Sequence, residues 1–263
     1  MIKYIFSIIF LYIFIGIILF FIQRKITFNI SRKIPKNPSL YDLSNVKKVF
    51  IDTSDGIKLL AWYSKPSLMN YPVLVYFHGN SYDIGERAYR IKRYIDRGWG
   101  VLLLSWRGYS GNEGKPTEKN LYIDGKSALD WLNYKGHKDE TIVLYGESLG
   151  TGVAVEIGTC KKYKSIILEA PFTSIPDIAK LKYPIYPVKL FSLDKFDNYS
   201  KIDKILSPLL IIHGKKDEVI PYAHSVKLFK KAKERKKHVS IDEAIHNNLY
   251  DFNIDKEVIN FNL

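Results

Sequence analysis

A chain of 263 residues is long enough to bury a sizeable core, as one large domain or two small ones. Its single cysteine, Cys160, excludes an internal disulfide and any metal site built on several thiolates. The formal charge of +13 fits nucleic acid, anionic lipid or a plain compositional bias toward Lys, Ile, Asn, Tyr and Phe. No nucleic-acid-binding motif accompanies the charge, and the basic residues are scattered except over 227–237, so bias is the reading adopted and no nucleic-acid partner is expected.

Residues 4–22 carry no charge, and nineteen residues of helix at about 1.5 Å each span about 28 Å, which matches a bilayer core. A cleaved signal peptide would show a shorter apolar region and then a small-residue cleavage site; Gln23, Arg24 and Lys25 follow here instead. The expectation is an uncleaved transmembrane anchor over 1–25. Arg24, Lys25, Arg32, Lys33 and Lys36 follow the span and only Lys3 and the amino terminus precede it, so the positive-inside rule puts the rest of the chain in the cytoplasm. Residues 26–48, with Pro35 and Pro38 among polar residues, read as a linker, and a single domain is expected over 49–263.

That domain opens with two alternating runs around Asp55-Gly56, a hairpin signal that predicts antiparallel strands at a sheet edge. Short apolar, β-rich runs follow at 72–77, 100–105, 141–144, 165–168 and 207–212, with helical stretches at 86–97, 120–134, 149–160 and 223–233. Such alternation implies an α/β fold with a mostly parallel, doubly wound sheet.

The stretch Gly146-Glu147-Ser148-Leu149-Gly150 reads G-x-S-x-G between a strand and a helix, the context of a nucleophile elbow. Its glycines leave room for a turn too tight for ordinary side chains, and the helix N-terminus faces the developing oxyanion. A serine nucleophile needs a base and an acid to orient that base. Asp217 lies on the loop after the run 207–212 and is the candidate acid, with Glu218 and Glu169 as competitors. Among the later histidines His238 starts a strand, His224 opens a helix and His213 precedes the acid, so His246 is the candidate base. The backbone N–H groups of Leu149 and Asn80 are the candidate oxyanion donors. His78 is expected to shape its loop, and the loop 108–111 to line the site without acting as a second serine motif.

The motifs FHGNSYDIGER, SWRGYSGNEGKP, YGESLGTGVA, EAPFTSI, IIHGKKDEVIP and AIHN make the chain resemble α/β-hydrolases of the small-cap, prolyl-aminopeptidase-like branch, which includes membrane-anchored proteins similar to abhydrolase-domain depalmitoylases. The resemblance implies a serine hydrolase with a Ser148, Asp217 and His246 triad, an acyl-enzyme intermediate, and no metal or organic cofactor. Glu147 departs from the pattern, since related proteins often carry an uncharged residue there, which leaves open the charge the substrate must bear. The insertion at 171–206 falls where this fold carries its cap. Its aromatics either line an acyl groove or simply pack. Tethering beside a membrane makes an ester or thioester of an acylated substrate the expected target, with amide cleavage or a non-catalytic binding protein as alternatives. The basic run 227–237 either meets anionic lipid or is a solvated face.

Overall fold

The computed structural model describes residues 2–68 and 70–263; Met1, at the head of the expected anchor, and Met69 lie outside it. Helix α1 (Ile2–Thr27) is long and apolar enough to cross a membrane. The hairpin forms as β1 (Lys47–Asp52) and β2 (Lys58–Ser64), with Gly56 at φ +84° in the turn. The chain then alternates through β3 (Val73–Phe77), α2 (Ala88–Ile95), β4 (Gly100–Leu104), α3 (Glu118–Tyr134), β5 (Ile142–Glu147), α4 (Gly150–Gly158) and β6 (Ser165–Glu169). A cap follows with α5 (Ile175–Lys182) and α6 (Val188–Phe191), and the domain closes with β7 (Leu209–Gly214), α7 (Ala223–Lys231), β8 (Lys236–Ile241) and α8 (Ile254–Phe261).

The eight strands form one sheet in the order β1-β2-β4-β3-β5-β6-β7-β8, antiparallel at β1-β2 and β2-β4 and parallel elsewhere. Every residue of β3, β4, β5, β6 and β7 is buried, as continuous apolar runs covered on both faces must be. One face carries Val75, Phe77, Leu144 and Val153; the other carries Tyr76, Tyr94, Tyr145 and Tyr250. The strand order reverses direction between β3 and β5. The crevice outside the carboxyl ends of those two strands is therefore where an open α/β sheet places a ligand.

Residues 26–48 are more than the tether expected of them. Phe28, Leu43 and Val46 are buried in the domain's two core clusters, and Asn37 caps a short 3-10 turn over Pro38–Tyr41. The domain's first strand also begins at Lys47, inside the expected linker, so these residues fasten α1 to the domain. The basic run 227–237 belongs partly to the fold as well: Lys231 donates to the Tyr199 carbonyl, Lys236 to the Ala232 carbonyl, and Lys237 pairs with Glu257.

Helices α3 and α4 cross closely on the face that carries Phe77. A Cβ at Gly125 would lie 2.6 Å from Val153 Cγ1 and 2.7 Å from Ile157 Cδ1, which no real Cβ tolerates. Overpacking of this kind costs about 1–3 kcal/mol. Gly125→Ala is expected to lower stability by that amount, read as a reduced urea midpoint at unchanged m-value.

Candidate active site

The strand β5 ends in a turn with no room for side chains. Ser148 stands at φ +50°, a left-handed conformation that few non-glycine residues adopt. A Cβ at Gly146 would lie 2.7 Å from the Gly150 carbonyl oxygen, and one at Gly150 would strike the Phe77 carbonyl. The two glycines of G-x-S-x-G are thus required by backbone packing against β3 and the first turn of α4. The Ser148 N–H donates to the Glu169 carbonyl and the Ser148 carbonyl accepts from Thr151, which fixes the turn from both sides.

Loops after β7 and β8 bring two more groups to this edge. His246 Nε2 accepts from Ser148 Oγ at 3.1 Å, and His246 Nδ1 donates to Asp217 Oδ2 at 2.7 Å. Asp217 Oδ1 accepts the N–H groups of Val219 (2.9 Å) and Ile220 (2.8 Å). Burial alone would raise the Asp217 pKa. The hydrogen bonds from His213 and His246, the His246 charge and the Ile220 N–H more than offset it and hold the carboxyl well below the usual carboxylate range. Of the competing acids, Glu218 is exposed, and Glu169 is buried and committed to Arg90 and to the Tyr145 hydroxyl.

Among the described residues, the N–H groups of Asn80 and Leu149 find no protein acceptor. Leu149 immediately precedes α4, and Asn80 follows the strand end at His78-Gly79, whose Gly79 lies against the elbow: a Cβ there would be 3.5 Å from Ser148 Cβ. Side chains hold the Asn80 loop from several sides. Asn80 Nδ2 donates to the Thr27 carbonyl, the Tyr109 hydroxyl donates to the Asn80 carbonyl, and His78 Nδ1 donates to the Gly79 carbonyl. His78 is fully buried, and burial with the nearby Arg87 charge pushes its pKa down to about 3, so it is a neutral structural group. Tyr109 brings the loop 108–111 to this edge.

Two features of the site were not read from the sequence. His213 is fully buried and its Nε2–H is shared between Asp217 Oδ2 (3.0 Å) and the Ile220 carbonyl (2.9 Å), so Asp217 is gripped by two histidines. The second feature is an ionic cluster beneath the elbow. Glu147 and Glu169 are register partners at the ends of β5 and β6, and both are buried. Arg87 binds Glu147 through two hydrogen bonds of 2.9 and 3.1 Å, Arg90 bonds Glu169 at 3.2 Å, and the Tyr76 hydroxyl donates to Glu147. Burial opposes the Glu147 charge, but Arg87 and Arg90 outweigh it and keep the carboxyl well below its usual range; burial pushes Glu169 up. Glu147 is therefore buried, and its charge is answered inside the protein by Arg87. The detectable signal was a pair of acids ending adjacent parallel strands, with arginines three apart on the segment after β3.

Sheet order, elbow and strand-end loops together define an α/β hydrolase. The prolyl oligopeptidase family model matches residues 109–246, a stretch that contains Ser148, Asp217 and His246. The human alpha/beta hydrolase domain-containing protein 17B is 33% identical over 75% of this chain and 68% of its own length. An uncharacterized protein of Mycobacterium tuberculosis is 32% identical over 76% of this chain and 72% of its own. The chain belongs to the prolyl oligopeptidase family within the α/β-hydrolase superfamily. Its fold is shared by an alpha-beta hydrolase of Vibrio vulnificus (TM-score 0.75, 18% identity, 91% of this chain and 92% of that one). An esterase of Pyrococcus furiosus shares it too (TM-score 0.70, 20% identity, 88% and 95%).

The depressed Asp217 pKa has a consequence for stability. Folding favours the ionised form, so this contribution is fully present above the ordinary value of 3.8 and is lost as pH falls through the lower native value. Asp217→Asn removes that term. Urea midpoints followed from about pH 7 to about pH 3 are expected to fall less steeply for the variant than for the wild type.

Proposed function

We propose that this protein is a membrane-anchored serine hydrolase that cleaves a carboxylic ester or thioester through an acyl-enzyme intermediate. The observation that carries the reading is the continuous hydrogen-bond chain from Ser148 Oγ through His246 to Asp217. Ser148 Oγ attacks the carbonyl carbon while His246 Nε2 takes its proton, and the ionised Asp217 stabilises the imidazolium that forms. The tetrahedral oxyanion receives the free N–H groups of Leu149 and Asn80, both fixed before the charge develops. The imidazolium then protonates the leaving alcohol or thiol. Water, deprotonated by the same imidazole, attacks the acyl-serine and regenerates the hydroxyl.

An apolar groove of about 480 Å³ between α1 and the cap, lined by Gly16, Leu19, Phe20, Ala179, Val188 and Phe191 and by none of the triad residues, has the size and polarity to hold an acyl chain beside the domain and supports an acylated substrate. Helix α1 is the anchor in this reading, with the domain on the cytoplasmic side, where the positive charge after the span would hold it. A second reading, hydrolysis of a peptide or amide bond, is favoured by the description of the family model that the chain matches. The same triad serves both, and substrates separate them. Esters of p-nitrophenol of graded chain length should turn over in detergent-solubilised full-length protein, with kcat at least about 10⁴-fold lower for Ser148→Ala. Peptide anilides hydrolysed faster than any ester would favour the second reading. Equal turnover by Ser148→Ala would overturn both.

A further inference from the structure

We propose that the cap segment 181–193 enters the lipid bilayer beside α1, so that the protein is held by two elements instead of one; this rests on reading α1 as the membrane anchor. The cap runs along α1 from its charged end into its apolar stretch. At the charged end Arg24 Nε donates to Asp194 Oδ2 at 2.7 Å, and Gln23 bonds the Leu193 N–H (2.9 Å) and the Phe191 carbonyl. At the far end the Tyr12 hydroxyl donates to the Ile185 carbonyl (3.0 Å), the Tyr186 hydroxyl donates to the Tyr12 carbonyl (3.3 Å), and the two rings stack at 4.8 Å. Gly16 lets the Tyr186 ring lie against the helix, since a Cβ there would be 3.2 Å from it. Arg24 and Tyr12 are separated by about 18 Å of helix. The cap tip therefore lies at whatever depth Tyr12 occupies, and a span of about 30 Å puts that depth within the hydrocarbon when α1 crosses the bilayer.

The chemistry of the segment fits that position. Ile185 is 69% and Leu190 75% exposed, and Leu181, Phe191 and Leu193 of the same segment are exposed as well, a concentration of apolar surface that water would disfavour. The tip itself, Tyr183-Pro184-Ile185-Tyr186-Pro187-Val188, has no charge. Irregular backbone survives at membrane depth only when its polar groups are satisfied within the protein. Two of these six residues are prolines without an N–H, and of the other four N–H groups those of Tyr183, Tyr186 and Val188 bond the carbonyls of Ala179, Tyr183 and Tyr186, which leaves the Ile185 N–H as the one donor without a protein acceptor among the described residues. The Ile185 carbonyl is taken by Tyr12. Lys180, Lys182 and Lys189 flank the uncharged tip, and the Lys189 charge is answered by Asp177 at 2.9 Å.

The test uses the full chain in phosphatidylcholine–phosphatidylglycerol vesicles. In a Cys160→Ser background, cysteines replacing Phe10, Ile185, Leu190 and Tyr134, one at a time, carry a nitrobenzoxadiazole label. Tyr134 is 84% exposed at the end of α3 and is the aqueous control, while Phe10 reports the anchor. The expected result is quenching of the labels at 185 and 190 by nitroxide lipid, as at Phe10, with iodide quenching several-fold weaker than at Tyr134. Lipid quenching at Phe10 with iodide quenching at 185 or 190 like that at Tyr134 would overturn the inference and leave the anchor standing. Iodide quenching at Phe10 would overturn the anchor reading, and the inference with it.

Discussion

The site depends on a backbone constraint at one residue. Ser148 is held at φ +50°, a conformation of order 1–3 kcal/mol above ordinary geometry for a residue with a Cβ, and the turn persists because its surroundings leave no alternative. The Gly150 backbone packs directly on the Phe77 carbonyl at the end of β3, Gly146 lies under the first turn of α4, and the Ser148 N–H is tied to Glu169 at the end of β6. Three neighbouring elements thus converge on one turn. Their convergence sets the serine hydroxyl outside the carboxyl ends of the strands, where the loops after β7 and β8 can reach it.

Beneath that turn the protein holds two acids and two arginines out of water. Removing one partner of such a buried pair costs about 3–5 kcal/mol, because the remaining charge has nothing to answer it. Glu147 and Glu169 end neighbouring strands in register, so neither can be buried ionised without Arg87 and Arg90. The hydroxyls of Tyr76, Tyr145 and Tyr250 extend the network between the sheet and the C-terminal segment. The arrangement links the stability of the elbow to that of the whole face of the sheet that carries Tyr94.

Much of this was legible in the sequence because it follows from period and punctuation. Buried parallel strands must be short apolar runs, and 72–77 or 165–168 could hardly be anything else. G-x-S-x-G between such a run and a glycine-rich helix leaves few conformations, and Asp217 and His246 follow as polar residues just past later strands. What escaped depends on side chains meeting across the fold. Nothing local distinguishes His213 from an ordinary strand residue, although its Nε2–H grips the Asp217 carboxylate. Glu147 leaves the charge of the substrate open in the sequence, because its partner Arg87 lies sixty positions away and meets it only in the fold. The segment 26–48 reads as a linker because proline and polar residues dominate it; the burial of Phe28, Leu43 and Val46 is a tertiary fact.

An activated Ser148 nucleophile can be trapped covalently. Full-length protein treated with a fluorophosphonate and digested should yield one modified peptide, with the phosphonyl group on Ser148 and labelling lost when His246 is replaced by alanine. An adduct on another serine, such as Ser110 in the neighbouring loop, or no adduct in folded protein, would contradict it.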